Sequence, residues 1–195
     1  MPDTISPRLQ EALDWAIELH GRDARKQSPV PVLAHLLAVC ALVQLDGGAE
    51  EEAIAGLLHD ALEDEPEIAT AEEIERRFGS RVRQIVQISS DTPEEYRGGR
   101  KAPWKERKAK YLEHVRHSSP DLLRVTVADK VDNVRALLAD LTRLGDALWT
   151  RFNAPKPEQL WYYRGALDAY KSAGFKGPLL AELERLVIEL ERTAA

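Results

Sequence analysis

Residues 57–64 read Leu57-Leu58-His59-Asp60-Ala61-Leu62-Glu63-Asp64. Four polar groups follow an apolar stretch. Residues four apart on a helix share a face, so a helix here stacks His59 above Glu63 and Asp60 above Asp64. Burying such groups without partners is costly. A divalent ion satisfies them; a solvated helix end with ordinary charges is the other reading. His35 interrupts the apolar stretch 32–45, and Asp129 follows the apolar run 125–128. Each is either a hydrogen-bonded core residue or a ligand. Lys130 is the obvious partner for Asp129, yet adjacent residues on a helix do not face each other. His35, His59, Asp60 and Asp129 together form a mixed nitrogen and oxygen donor set. That set suits one borderline-hard divalent ion such as Mn²⁺, with zinc less favoured because no thiolate is present. The two carboxylates neutralise the ion's double charge.

The elements that must carry these residues read as helix almost throughout. Leu9, Leu13, Ile17 and His20 recur at helical spacing, with Pro7 suited to a first turn. Residues 21–31 hold a glycine and two prolines and read as a loop. Residues 32–45 form an apolar helix ended by Gly47-Gly48. One helix is expected over 50–64, its three leading glutamates matched to the positive helix end. Thr70 and Glu73 form a capping box for a helix to Phe78, and Gly79 turns the chain into 80–89. Segment 91–103, with two prolines and two glycines, reads as a loop. Helix resumes over 104–117. Ser119-Pro120 opens another helix, running to Arg143. Within it, 122–127 could be a buried strand, but Leu123, Val127, Val131, Val134 and Leu138 recur at steps of three and four. Helices over about 156–172 and 177–192 complete an all-α fold. No linker divides the chain, so one domain over 1–195 is expected, with a motif core over about 20–140 and helices from 145 onward packing on it.

Composition agrees with a globular protein. The 195 residues are 44% hydrophobic and 31% charged, enough to bury a core without staples. The net charge of −6 argues against general nucleic-acid binding. Cys40 is the single cysteine, which excludes an internal disulfide and a thiolate zinc cluster. No apolar run is long enough for a membrane span, and residues 1–10 show no signal core. A cytoplasmic location is expected. Two terminal amphipathic helices permit a homodimer without requiring one.

The order His35, His59-Asp60, Asp129 resembles the HD-domain phosphohydrolase superfamily, and most closely its RelA/SpoT-type hydrolases acting on the alarmone (p)ppGpp. His59-Asp60-x-x-Glu63-Asp64 resembles that group's HD-x-x-ED segment. Phe78-Gly79-x-x-Val82 resembles its F-G-x-x-V run, and Ala128-Asp129-Lys130-x-x-Asn133-x-Arg135 its A-D-[KR]-x-x-N-x-R helix. The resemblance covers about residues 10–170. It implies an HD-domain helical bundle and metal ligation by His35, His59, Asp60 and Asp129. It further implies a water activated by Glu63 and Asp64, and nucleotide contacts from Asn133 and Lys26. The long members carry a synthetase and regulatory domains for which 195 residues leave no room, so a stand-alone small hydrolase is implied.

The implied reaction is metal-dependent removal of the 3′-diphosphate from (p)ppGpp or a related nucleotide, a small-molecule substrate. Another HD-type nucleotide phosphohydrolase or phosphatase reaction is the alternative, followed by a non-catalytic nucleotide-binding module. Lys101, Lys105, Arg107, Lys108 and Lys110 form a positive run suited to an anionic leaving group, or simply a solvated face. Lys105 and Lys108, three apart, could jointly face the phosphates. The loop before His35 departs from the family's R-x-x-G-x-P-Y-x-x-H, with Lys26, Pro29 and Val32 in place of Arg, Gly and Tyr. A lysine does not reproduce a planar guanidinium stacked on a base, which leaves the base open. Residues 161–164, Trp-Tyr-Tyr-Arg, line either a helix seam or the nucleotide site. His20 reads as a core or loop-anchoring residue, His114 and His117 as solvated, and Cys40 as a small core residue.

Overall fold

A computed structural model of the chain describes residues 5–25, 28–93 and 96–195. Nine α-helices and two short 3₁₀ segments account for the regular structure, with no strand among the described residues. Ala24 and Pro31 make one isolated antiparallel bridge across the loop before the second helix. The fold is all-α, as the periodicity predicts. The described residues fall into two compact units, one ending at Gly99 and one beginning at Arg100. No helix among them is long and apolar enough to cross a membrane.

The first unit holds α1 (Pro7–His20), α2 (Val32–Leu45), α3 (Glu50–Leu58), α4 (Ala61–Asp64) and α5 (Ala71–Ser89). The Ser6 hydroxyl accepts the Leu9 N–H at 3.0 Å and starts α1. Its inward stripe is Ala12, Trp15, Ala16 and Leu19, while Ile17, expected inside, is 45% exposed. Trp15 decides the rotation of the helix: its ring packs 5.9 Å from that of Phe78 on α5. An aromatic side chain of this kind buries about 150–250 Å², more than a single aliphatic residue on the other stripe offers.

Helix α3 is the centre of this unit, packed against α1, α2 and α5. Gly56 makes its approach to α2 possible: a Cβ there would lie 3.1 Å from Cys40 Cα. Within α5 the Thr70 hydroxyl accepts the Glu73 N–H at 3.2 Å, and Gly79 at φ 84° kinks the helix. Arg8 binds the Phe78 carbonyl at that kink and the carboxylates of Glu50 and Glu51, tying α1 to α3 and α5.

The single helix expected over 50–64 is two helices. It breaks at His59-Asp60, although both residues keep right-handed dihedrals (φ/ψ −64°/−26° and −91°/−9°). The Gly56 carbonyl that a continuing helix would offer to the Asp60 amide is taken by the His59 ring at 2.9 Å. Asp60 then restarts the winding, its carbonyl accepting the N–H groups of Glu63 and Asp64, both at 3.0 Å.

The second unit holds α6 (Trp104–Arg116), α7 (Arg124–Leu144), α8 (Lys156–Ser172) and α9 (Pro178–Ala194). Helix α7 packs on α9 and α8, and α6 packs on α8. The helix expected from Pro120 begins instead as a 3₁₀ turn, Pro120–Leu122, before α7 starts at Arg124. Residues 124–127 are helical, which removes the strand alternative. Every residue from Val125 to Val131 is buried, so this stretch of α7 runs through the interior on all sides. Further along, Leu137 and Leu141 turn inward, in place of the expected Leu138.

Candidate active site

In the first unit, α2 and the break after α3 bring three predicted ligands together. His35 and His59 are 6% and 1% exposed, and their rings meet edge to face at a centroid distance of 5.1 Å. Both aim Nε2 at one carboxylate. His59 Nε2 lies 3.4 Å from Asp60 Oδ1, and His35 Nε2 lies 3.8 Å from Asp60 Oδ2. Both separations exceed an ordinary hydrogen bond. Donors each about 2.1 Å from one ion stand roughly 3.0–3.4 Å apart, so the His59 separation fits a shared centre and the His35 separation is a few tenths of an ångström wider. His59 Nδ1 donates to the Gly56 carbonyl, which fixes the tautomer with the Nε2 lone pair facing Asp60. Two neutral imidazole nitrogens and a carboxylate are a chemically sound set for a divalent cation.

Glu63 and Asp64, paired by sequence, are placed differently. Asp64 is exposed. Glu63 is half-buried, and its Oε1 accepts the Asp91 N–H from the end of α5 at 2.7 Å. No spacing rule signals that contact.

In the second unit, Asp129 is 6% exposed on α7. Its Oδ2 accepts from Lys130 Nζ and its Oδ1 from Asn133 Nδ2. The expectation that Lys130 could not serve Asp129 is therefore corrected. The facing rule describes Cα–Cβ directions, and a four-carbon arm can fold back past it. Lys130, 6% exposed, also has the rings of Tyr111 and Tyr162 at 5.3 and 5.8 Å. Burial pushes its ammonium pKa down, but Asp129 and the surrounding tyrosines more than offset this and hold it well above the usual lysine range. Burial drives the phenols of Tyr111, Tyr162 and Tyr163 upward, so they remain neutral hydrogen-bonding groups.

Among the predicted substrate contacts, Asn133 is engaged with Asp129. Lys105 and Lys108 have different neighbours. Lys105 bonds Glu158 at 3.3 Å and lies over Trp161, whereas Lys108 lies 5.0 Å above Tyr162. Lys26 lies outside the described residues. Tyr162 and Tyr163 are buried and Arg164 pairs with Glu191, so most of that aromatic run is interior. His20 is buried beside Asp23, and His117 is exposed on Glu113.

Residues 12–156, which run through both units, match the family described as an HD domain. The guanosine-3′,5′-bis(diphosphate) 3′-pyrophosphohydrolase MESH1 of Xenopus tropicalis is 38% identical over 132 residues, covering 66% of this chain and 69% of its own. The protein of that name from Danio rerio is 32% identical over 186 residues, 93% of each chain. A solved structure described as a metazoan ortholog of SpoT that hydrolyzes ppGpp superposes with a TM-score of 0.75 over 99% of both chains. At 23% identity, that likeness bears on the fold alone. With the family match over residues 12–156 and relatives 32–38% identical over most of their own length, the chain belongs to the HD-domain hydrolases, in the group of guanosine-3′,5′-bis(diphosphate) 3′-pyrophosphohydrolases.

Proposed function

We propose that the chain hydrolyses the 3′-diphosphate of guanosine-3′,5′-bis(diphosphate) or a close relative, releasing pyrophosphate, with Mn²⁺ as the resident ion. The observation that carries this reading is the convergence of His35 and His59 Nε2 on Asp60, with His59 held from behind by Gly56. The activity for which its relatives are named supports it. We assign the ion to His35, His59, Asp60 and Asp129. Asp129 brings the second negative charge, and its bonds to Lys130 and Asn133 are the outer support a ligating carboxylate needs.

When bound, the ion polarises a phosphoryl oxygen and lowers the pKa of the attacking water. Glu63 orients that water and accepts its proton, with Asp64 beside it. The water oxygen forms a bond to the phosphorus attached to the ribose 3′ oxygen. The bond to that oxygen breaks, its electron pair leaves with the ribose, and the oxygen takes up a proton. Lys105 and Lys108 compensate the diphosphate charge, Lys105 by exchanging Glu158 for phosphate. Asn133 and Lys26 contact the nucleoside. In this reading the protein is cytoplasmic, takes a small-molecule nucleotide and no nucleic acid, and is able to pair as a homodimer.

The test is phosphorus NMR of products from ppGpp, pppGpp and their adenine counterparts, using metal-stripped protein reloaded with Mn²⁺. Pyrophosphate with a free 3′ hydroxyl is expected. Orthophosphate as the first product, or turnover unaffected by stripping the metal, overturns the reading.

A further inference from the structure

The Asp91 N–H that reaches Glu63 Oε1 leaves the end of α5 in a way its neighbours do not. Ser90, the residue before it, caps α5 in the ordinary manner, its N–H shared between the carbonyls of Val86 and Gln87 at 3.2 and 3.3 Å. Asp91 instead turns its amide outward to a carboxylate on α4. Two hydroxyls set that turn. Ser90 Oγ accepts the Thr92 N–H at 3.2 Å and lies 2.8 Å from Thr92 Oγ1. Ser90 is itself buried. The Asp91 amide is thus clamped on both sides before it meets Glu63.

We propose that Ser90 and Thr92 are positioning residues for the Glu63 carboxylate, acting through the Asp91 amide. The inference rests on the reading of Glu63 as the group that takes the water's proton. Helix α4 is a single turn with an exposed end, too short to orient a glutamate that carries three side-chain torsions. With Oε1 anchored, the carboxylate plane is set before substrate arrives. Such preparation matters because a misplacement of about 1 Å at a reacting group costs on the order of 10²-fold in rate.

The test uses the full chain with Mn²⁺. Ser90→Ala should lower kcat about tenfold, the usual scale for a supporting residue, with KM and metal content unchanged. Ser90→Thr, which restores the hydroxyl, should recover most of the lost kcat. Thr92→Val keeps the branched shape, loses the hydroxyl pair and should lower kcat in the same direction; it carries the test if Ser90→Ala does not fold. In the Glu63→Gln background Ser90→Ala should cost nothing further, because no base remains to be positioned. In the metal-free protein the Asp91 amide should exchange with solvent about tenfold faster in Ser90→Ala than in wild type. Wild-type kcat in both hydroxyl variants, or a full additional loss in the Glu63→Gln background, overturns the inference and leaves Glu63 as the base. Wild-type kcat in Glu63→Gln itself overturns both.

Discussion

His59 Nδ1 lies 2.9 Å from the Gly56 carbonyl, one turn back on α3. The same glycine lets α3 lie against Cys40 on α2, the helix that carries His35. One residue without a side chain therefore sets the tautomer of one histidine and its helix's distance from the other.

Gly56→Ala should separate those two effects from stability. The new methyl would meet Cys40 backbone atoms at 3.1 and 3.2 Å, so α2 or α3 must shift by a few tenths of an ångström. Overpacking of that kind costs about 1–3 kcal/mol. Alanine in a helix returns roughly 1 kcal/mol. The melting temperature should fall only slightly. Metal affinity, which depends on the spacing of His35 from His59, should fall about 10–100-fold. Calorimetric titration with Mn²⁺ alongside a thermal melt checks both; unchanged affinity would remove Gly56 from the metal argument.

Asp129 and Lys130 should be separable as ligand and counter-charge. Asp129→Asn leaves the buried Lys130 ammonium without its carboxylate, which costs about 3–5 kcal/mol. For a chain of this size that is a fall of about 6–20 °C in melting temperature. Adding Lys130→Met removes the stranded charge and should recover most of the loss, since a buried pair replaced by apolar groups is often neutral. Bound Mn²⁺ should be lost in both proteins. Retention of metal in the stabilised double variant would exclude Asp129 as a ligand.

Glu73 sets a pH dependence at the start of α5. The guanidinium groups of Arg76 and Arg77 hold its carboxyl at about 2. An unfolded glutamate titrates near about 4.3. The folded value is depressed, so the contribution is complete above the unfolded value and is lost as pH falls from about 4 to about 2. The group is partly exposed and solvent screens it, so the effect is small. Glu73→Gln should melt slightly below wild type at pH 7, with the gap closing between about pH 4 and pH 2. A gap that persists at pH 2 would point to helix capping, not the ion pair.

Among the four candidate ligands, His35, His59 and Asp129 stood out in the sequence because each is a polar residue set in or just after an apolar run. His35 and His59 are buried in α2 and at the end of α3, as that pattern requires. What was not legible depends on side chains that fold back on the backbone. The break at His59 arises from a ring taking a carbonyl, and no propensity marks it. Lys130 reaches its own neighbour through a flexible arm, against the rule for helix faces. In α1 two stripes compete, and a rule that counts aliphatic residues picks Ile17 over the one holding Trp15, whose larger area prevails. The contact between Glu63 and Asp91 joins two elements through a backbone amide, which has no residue signature.

Glu63→Gln should slow the chemistry while leaving architecture and binding in place. Glutamine keeps the length of the side chain and a carbonyl oxygen able to accept the Asp91 N–H, so the end of α5 stays anchored. It loses the charge and the ability to take a proton from water. Proton transfer by a positioned side chain is worth about 10²–10⁴-fold, and kcat should fall by that factor. KM and metal content should be nearly unchanged, because the loss is confined to the transition state. Glu63→Ala makes the contrast. It removes the acceptor as well as the base, so it should add faster exchange of the Asp91 amide to the same loss of kcat. Saturating turnover, metal content and amide exchange on the two variants check the argument together. A glutamine variant that turns over at the wild-type rate would reduce Glu63 to a structural anchor for the Asp91 amide and move the base elsewhere, with Asp64 the next carboxylate to test.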